Sequence, residues 1–425
     1  TIPALFLWGM IPPYMQVVAL CFLGGLLGIS AMIPLRRLLI VDAHDELPYP
    51  EGRACAEVLR ASESGTSAGV WIFRGMAVGA AVKVLISVLF LFPNELSLML
   101  PVLPKAELAL ELSPALFAVG FILGYRQSAV CVAGSIVSSL VLIPLIAWLG
   151  GRVGQPLYPE ATRLIADMGV SDIWSKYVRY IGAGAVATAG ILTLARNLPS
   201  MVASFAAVAK GLRKGAVADS SAAPPGLRLR NPDADRDLPG FFVFGGIATV
   251  VLVSWLVPGI FAGGMSFTQR AVCAAGVGVF GVLFVTVAAR IVGIVGVSSQ
   301  PTSGIALVTL LGTASAFAAA GWVDSGAKAA VLAVGTIVAI AASKAGDISQ
   351  DLKTGWLVGA TPAKQQFGQL IGASVACWAV AGTVLLLGNT YEFGTKELPA
   401  PQATLMKTIV EGVLSGNLPW DLVGI

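Results

Sequence analysis

Apolar residues in this chain gather into runs long enough to cross a bilayer. A helix needs about 20 such residues to span about 30 Å of hydrocarbon. Runs of that kind cover about residues 15–35, 68–92, 114–126 with 128–149, 179–196 with 198–210, 240–260, 271–289, 291–316, 326–345 and 366–388. Several are dense in Gly, Ala and Ser, as in "GAGAVATAGI", and small residues let membrane helices approach closely. The pattern predicts an all-α fold, a polytopic integral membrane protein.

One run is interrupted. "VGIVGVSSQPTSGIALVTLLG" (Val292 to Gly312) is apolar at both ends and polar in the middle. Pro301 lacks an N–H and restricts Gln300, while Gly304 relaxes the backbone. The expectation is a discontinuous span near mid-membrane, in which Ser299, Gln300, Pro301, Thr302, Ser303 and Gly304 line a substrate site. Unwound carbonyls and a helix N-terminus at membrane depth can hold ions or carboxylates. The plainer alternative is a Pro-kinked helix whose hydroxyls bond back to the backbone.

A second polar stretch, "GDISQDLKTGWLVGATPAKQQ" (Gly346 to Gln366), lies between two apolar runs. Asp347 and Asp351 are spaced i, i+4, so a helix would put them on one face, and Lys353 can pair with one of them. Gly355 and Gly359 loosen the chain before Thr361-Pro362. The segment reads as a cytoplasmic connector whose carboxylates gate the pathway or relay protons; the plainer alternative is a solvated loop capping two helices. Lys83, inside "GMAVGAAVKVLISVLFLF", is an intramembrane ionisable residue, and such residues usually face a cavity or a partner.

"LPYPEGRA" (Leu47 to Ala54) and "LPAPQATL" (Leu398 to Leu405) each follow an apolar run and a short charged linker. They stand 351 positions apart (398 less 47). Alternating the spans puts them on opposite faces, which is what inverted repeats produce. Pro48, Pro50, Pro399, Pro401 and Gln402 are therefore expected to open re-entrant segments, with Glu51 a gating or proton-coupling residue. A complete second repeat would run past Ile425, so the chain is expected to lack residues at both ends.

Charge orients these elements. Residues 36–66 hold Arg36, Arg37, Arg53 and Arg60, and residues 210–238 hold six basic residues in a Pro/Ser/Asp-rich stretch. Both are expected to be cytoplasmic. The expected division is a first half of the transmembrane core over 1–212, a linker loop over 213–238 and a second half over 239–425.

Composition agrees. The chain is 56% hydrophobic and 12% charged, with a mean hydropathy of +0.84, against about a quarter charged for a soluble domain. The net charge of +4 sits in loops without aromatic interleaving, which argues against nucleic acid. Cys21, Cys55, Cys131, Cys273 and Cys377 form no CxxC pair, and the lone His44 lies in a loop, so no metal site and no cofactor is expected. No GxSxG, HExxH or GxxxxGK[ST] context occurs. The nearest enzyme reading is an intramembrane aspartyl protease, from "AGD" at Asp347; that chemistry needs two facing carboxylates, and the Tyr-Asp pair of that class is absent.

Several segments resemble the oligopeptide transporter family, in its bacterial branch related to the yellow stripe-like metal-chelate transporters. They are "IPLRRLLIVDAHDELPYPEGRACAEVL", "YVRYIGAGAVATAGI", "VGIVGVSSQPTSGIALVTLL", "GDISQDLKTGWLVGATPAKQQFGQLIG" and "ELPAPQATLMKTIVEGVLSGNLPW". The resemblance covers nearly the whole chain in one order. It implies a helical fold of inverted repeats, no enzyme activity, and proton-coupled import of short peptides or peptide-like metal chelates across a bacterial inner membrane. The partners implied are the substrate, protons and lipid, with a homo-oligomer one option; a passive channel is the alternative within transport. Gln300-Pro301 departs from the Asn-Pro the family favours, which displaces the amide by one methylene.

Overall fold

The computed structural model describes residues 1–63, 67–93, 95–158, 160, 162–182, 236–297, 300, 302–394, 398 and 400–416, with seven further positions between 184 and 199. In chain order its helices are α1 (Ile2–Phe6), α2 (Tyr14–Arg36), α3 (Pro50–Glu63), α4 (Ser67–Ser87), α5 (Pro114–Ile136), α6 (Ile143–Gly150), α7 (Val170–Ile173), α8 (Gly240–Leu256), α9 (Phe267–Val295), α10 (Thr302–Ala319), α11 (Ser325–Val358), α12 (Pro362–Thr390) and α13 (Pro401–Ser415). A hairpin of β1 (Glu95–Leu100) and β2 (Ala106–Glu111) stands between α4 and α5. Among the described residues seven helices are long and apolar enough to cross a membrane, so the chain is a polytopic, helical membrane protein. The chain packs as two units, residues 1–53 with 186–418 and residues 54–185 with 419–425. The expected linker, 213–238, lies outside the described residues as far as 235.

In the first unit α2, α9 and α11 run in one direction. Gly24 lies against Ile337 and Ile340, and Gly28 against Ala341 and Lys344. Gly276 lies against Val334, and Gln350 donates to Val292 O at 3.1 Å. The glycines make this closeness feasible: a Cβ at Gly28 would fall 2.7 Å from Ala341 O. Helices α10 and α12 run the other way, with Leu310 against Gly335 and Gln365 against Gly355. Asp324 caps α11, its Oδ1 accepting from Ala327 N at 3.1 Å.

Helix α11 is 34 residues long, about 51 Å at 1.5 Å per residue, against about 30 Å of hydrocarbon. The polar stretch after Gly346 is therefore no loop. It is the last three turns of a continuous helix, and the connector shrinks to Gly359–Thr361. Gly359, at φ +78°, ends it.

Two segments of this unit match across opposite ends. Gly9 (φ +70°), Pro12 and Gln16 recur as Gly359 (φ +78°), Pro362 and Gln366, 350 positions on (366 less 16). Gln16 donates to Ile260 O and Phe261 O beyond the C-terminus of α8. Gln366 accepts from Leu238 N before its N-terminus. Pro50 and Pro401 each open a helix, α3 and α13. The first turn of α3 packs on the Gln350 end of α11, whereas Lys407 of α13 donates to Leu7 O, beside α1.

The second unit packs Ile143, Ala147, Ile165, Met168, Ile173, Tyr177 and Val178 into one apolar cluster. Lys105, in the hairpin turn, donates to Ile165 O and Ala166 O at 2.7 Å and to Met168 O. The hairpin spans Glu95–Glu111, between the apolar runs expected at 68–92 and 114–126. Gly124 at φ +76° interrupts α5, three residues before the expected division between two apolar runs. Large apolar side chains on α4 and α5 such as Phe73, Phe117 and Phe121 point outward, as lipid contact requires. Lys83 lies on the exposed side of α4, not in a buried contact with a partner.

Candidate functional site

Several polar groups of the first unit meet at the α9–α10 junction. Gly296, at φ +84°, ends α9. A Cβ there would lie 2.4 Å from Glu51 Oε1, so only glycine suits both the backbone and the contact. Glu51 Oε1 accepts from Val297 N at 2.8 Å, which holds the first unwound residue. Four residues after Gly296, the Gln300 amide donates to Ala342 O at 2.9 Å. Ala342 is midway along α11, so α10 starts beside the middle of that helix. The expected break thus falls between two helices, not inside one span. Thr302 opens α10, with Ser303 half-buried and Gly304 buried beside it. Ser299 and Pro301 lie outside the described residues, as does Pro399 at the other LPxP segment.

Residues 47–52 clamp this junction onto α11. Tyr49, at φ +47° and fully buried, donates its N–H to Gly293 O at 2.8 Å. Gly52 N donates to Gln350 Oε1 at 2.7 Å, and Thr354 Oγ1 donates to Gly52 O at 2.9 Å. Gly346 lets Gln300 approach: a Cβ there would fall 2.8 Å from its Oε1.

Lys353 does not pair with Asp347 or Asp351. It lies on the opposite face of α11, with 0% of its surface exposed. Its Nζ donates to Ile40 O at 3.2 Å and to His44 Nδ1 at 2.7 Å, and it lies over the rings of Tyr49 and Trp356. Ile40 sits in a π-helical turn, Arg37–Asp42, and such wide turns often mark functional sites. An ammonium only donates, so Nδ1 accepts and the ring proton sits on Nε2. Burial, and next the Lys353 charge, lower the His44 pKa from its ordinary value. His44 is therefore not the solvated loop residue its context in the sequence suggests.

Asp347 and Asp351 do share the other, exposed face of α11. Asp351 joins α11 to α12, accepting from Gln369 at its carboxylate and from Gln365 at its carbonyl. Of the residues singled out in the sequence, Glu51, Gln300, Thr302, Ser303, Gly304 and Lys353 belong to this junction's first unit. Lys83 belongs to the other unit, and Pro401 and Gln402 open α13. The residues that sequence reading missed are Gln350, Tyr49, His44 and Gly346. Their signal was a stripe at Gly346, Gln350 and Lys353, spaced i, i+4, i+7, legible only if the stretch is read as helix.

Comparison with known proteins bears on the same residues. The OPT oligopeptide transporter protein family matches residues 1–425. A candidate oligopeptide transporter of Haemophilus influenzae is 29% identical over 97% of this chain and 66% of its own length. Two candidate metal-nicotianamine transporters of Oryza sativa subsp. japonica, YSL17 and YSL13, are 25% and 23% identical over 89% and 92% of this chain. The chain spans 54% and 55% of those two. A match that runs the full length, through the clamp, the unwound junction and the long polar-ended helix, leaves one assignment: the chain belongs to the OPT oligopeptide transporter family.

Proposed function

We propose that this protein is a proton-coupled secondary importer of short peptides or peptide-like metal chelates in a bacterial inner membrane. One observation supports the reading: α9 ends at Gly296, Gln300 bonds to Ala342 O beside the middle of α11, and α10 starts at Thr302. In hydrocarbon an unpaired peptide group costs several kcal/mol. Such a segment persists where a cavity, water or ligand satisfies it. The N-terminus of α10 offers backbone N–H groups and positive potential to a carboxylate. Thr302 and Ser303 add hydroxyls, and Gln300 adds an amide donor and acceptor. These suit the peptide groups and carboxylates of a peptide or an amino-carboxylate chelate alike. The Gln300 amide is bonded to Ala342 O, so substrate would compete with that carbonyl for it.

Uptake into proteoliposomes decides the matter. Labelled di- and tripeptides, and iron or copper chelated by an amino-carboxylate, are offered with and without an acid-outside gradient. Accumulation above the external level, abolished by a protonophore, is the expected result. Uptake indifferent to the proton gradient would make the protein a passive channel. Peptide cleavage without accumulation would overturn transport altogether. Gln300→Leu should raise the KM for uptake about tenfold, and Gly304→Val should lower the maximal rate, both with the protein still folded.

A further inference from the structure

The two ends of the first unit are built alike but differ in chemistry. At one end Phe393, in the turn after α12, lies edge-on to Phe6 with ring centroids 5.3 Å apart. At the other His44, in the turn after α2, lies on Trp356 with centroids 4.6 Å apart. Phe6 and Trp356 stand 350 positions apart (356 less 6), the offset that also relates Gln16 to Gln366. One end is thus closed by two apolar rings. The other is closed by a ring that titrates, seated on a buried lysine.

We propose that His44 and Lys353 form a protonation-released lock at this end of the bundle, closed while His44 is neutral and opened when it takes a proton. A proton on Nδ1 removes the acceptor and sets two cations in contact at 2.7 Å. Lys353 cannot withdraw, because its stem is fully buried between Tyr49 and Trp356. His44 is half-buried on a turn, so it is the group that moves and the one water can reach. Asp45 favours its charged form and Arg53 opposes it. Glu46, in the same turn, is paired with Arg290 of α9 at 3.2 Å. Asp347 and Asp351 lie on the far side of α11. Burial and the neighbouring ammonium already disfavour the imidazolium, as a lock held shut at neutral pH needs.

Release would travel a short covalent path. The turn at Ala43–Glu46 leads into residues 47–52, which grip Gly293 O, Gln350 and Val297 N. Freeing His44 loosens that clamp, and with it the unwound junction. What opening accomplishes rests on the transport reading above; the lock itself does not.

The test uses Trp356 as its reporter, since an imidazolium quenches an adjacent indole more than a neutral imidazole does. Fluorescence of the purified protein in detergent is titrated from about pH 8 to about pH 4.5, a window around the ordinary histidine value of about 6.5. The expected result is a quenching step centred below that value, absent from His44→Gln and from Trp356→Phe. Lys353→Met should move the midpoint upward towards the ordinary value. Uptake measured with equal pH on both sides should lose its acid-dependent limb in His44→Gln relative to that variant's own neutral rate. A wild type without the step, a step that survives in His44→Gln, or a midpoint unmoved in Lys353→Met overturns the lock. If wild type moves no substrate, the transport reading falls and the fluorescence titration still decides the lock.

Discussion

At the residue scale, the junction depends on two unlike economies of space and charge. Gly346→Ala places a methyl 2.8 Å from both Gln300 Oε1 and Val292 Cγ2. The neighbours are boxed in by α9 and α11, so overpacking should cost about 1–3 kcal/mol, read as a lower thermal midpoint in detergent together with slower uptake. Lys353 and His44 respond unequally. Lys353→Met replaces a buried cation by an apolar chain of similar reach, and such exchanges are often near neutral. His44→Ala leaves the ammonium short of an acceptor and should cost about 1–3 kcal/mol; equal losses in the two variants would contradict this account. In the second unit Glu160 accepts from Thr162 Oγ1 at 2.7 Å and N at 3.1 Å, with Lys176 at 3.4 Å. These bonds, the Thr162 hydroxyl first, hold its pKa at about 2. A carboxyl lowered in the folded state stabilises above its unfolded value of about 4.3 and loses that contribution as pH falls towards 2. Glu160→Gln should therefore be less stable than wild type by about 1 kcal/mol at neutral pH. The gap should close on acidification, as circular dichroism melts at several pH values would show.

At the scale of elements, helix α11 decides the architecture and was the element least legible beforehand. Its apolar part, Ala329–Ser343, was plain from hydropathy. Its continuation was not, because Asp347, Gln350, Asp351 and Lys353 in sequence look like a loop leaving the membrane. What keeps the helix going is pairing across elements: Gln350 with Gly52 N and Val292 O, Lys353 with His44 and Ile40 O. Local pattern carries none of those partners. By contrast the start of α11 was written in Asp324, and Asp324→Ala should cost about 1 kcal/mol through loss of the cap. The crossing of α2 on α11 was written only as glycine content. Gly28→Leu would drive a branched side chain into the Ala341 backbone, and it should abolish a monodisperse folded peak in gel filtration, whereas Gly79→Leu on α4, where a Cβ meets open space, should not.

At the scale of the whole molecule, the paired Gly-x-x-Pro-x-x-x-Gln turns and the paired proline-opened helices point to one expectation. Glu51 and Gln402 should react, as single cysteines in a background lacking the native thiols, with an impermeant maleimide from opposite faces of the membrane. Labelling of both from the same face would remove the inverted arrangement. The sequence alone determined the membrane class, most of the spans and the prolines that start α3 and α13. It could do so because a span's length and apolarity, and the ring of proline, are local properties answerable to lipid and to backbone geometry. Tertiary structure alone decided which polar residues face one another. Lys353 lies 309 positions from His44, and Glu51 lies 246 from Val297; a buried cation or amide is tolerable only beside its acceptor, and that neighbour is chosen by how α2, α9 and α11 pack.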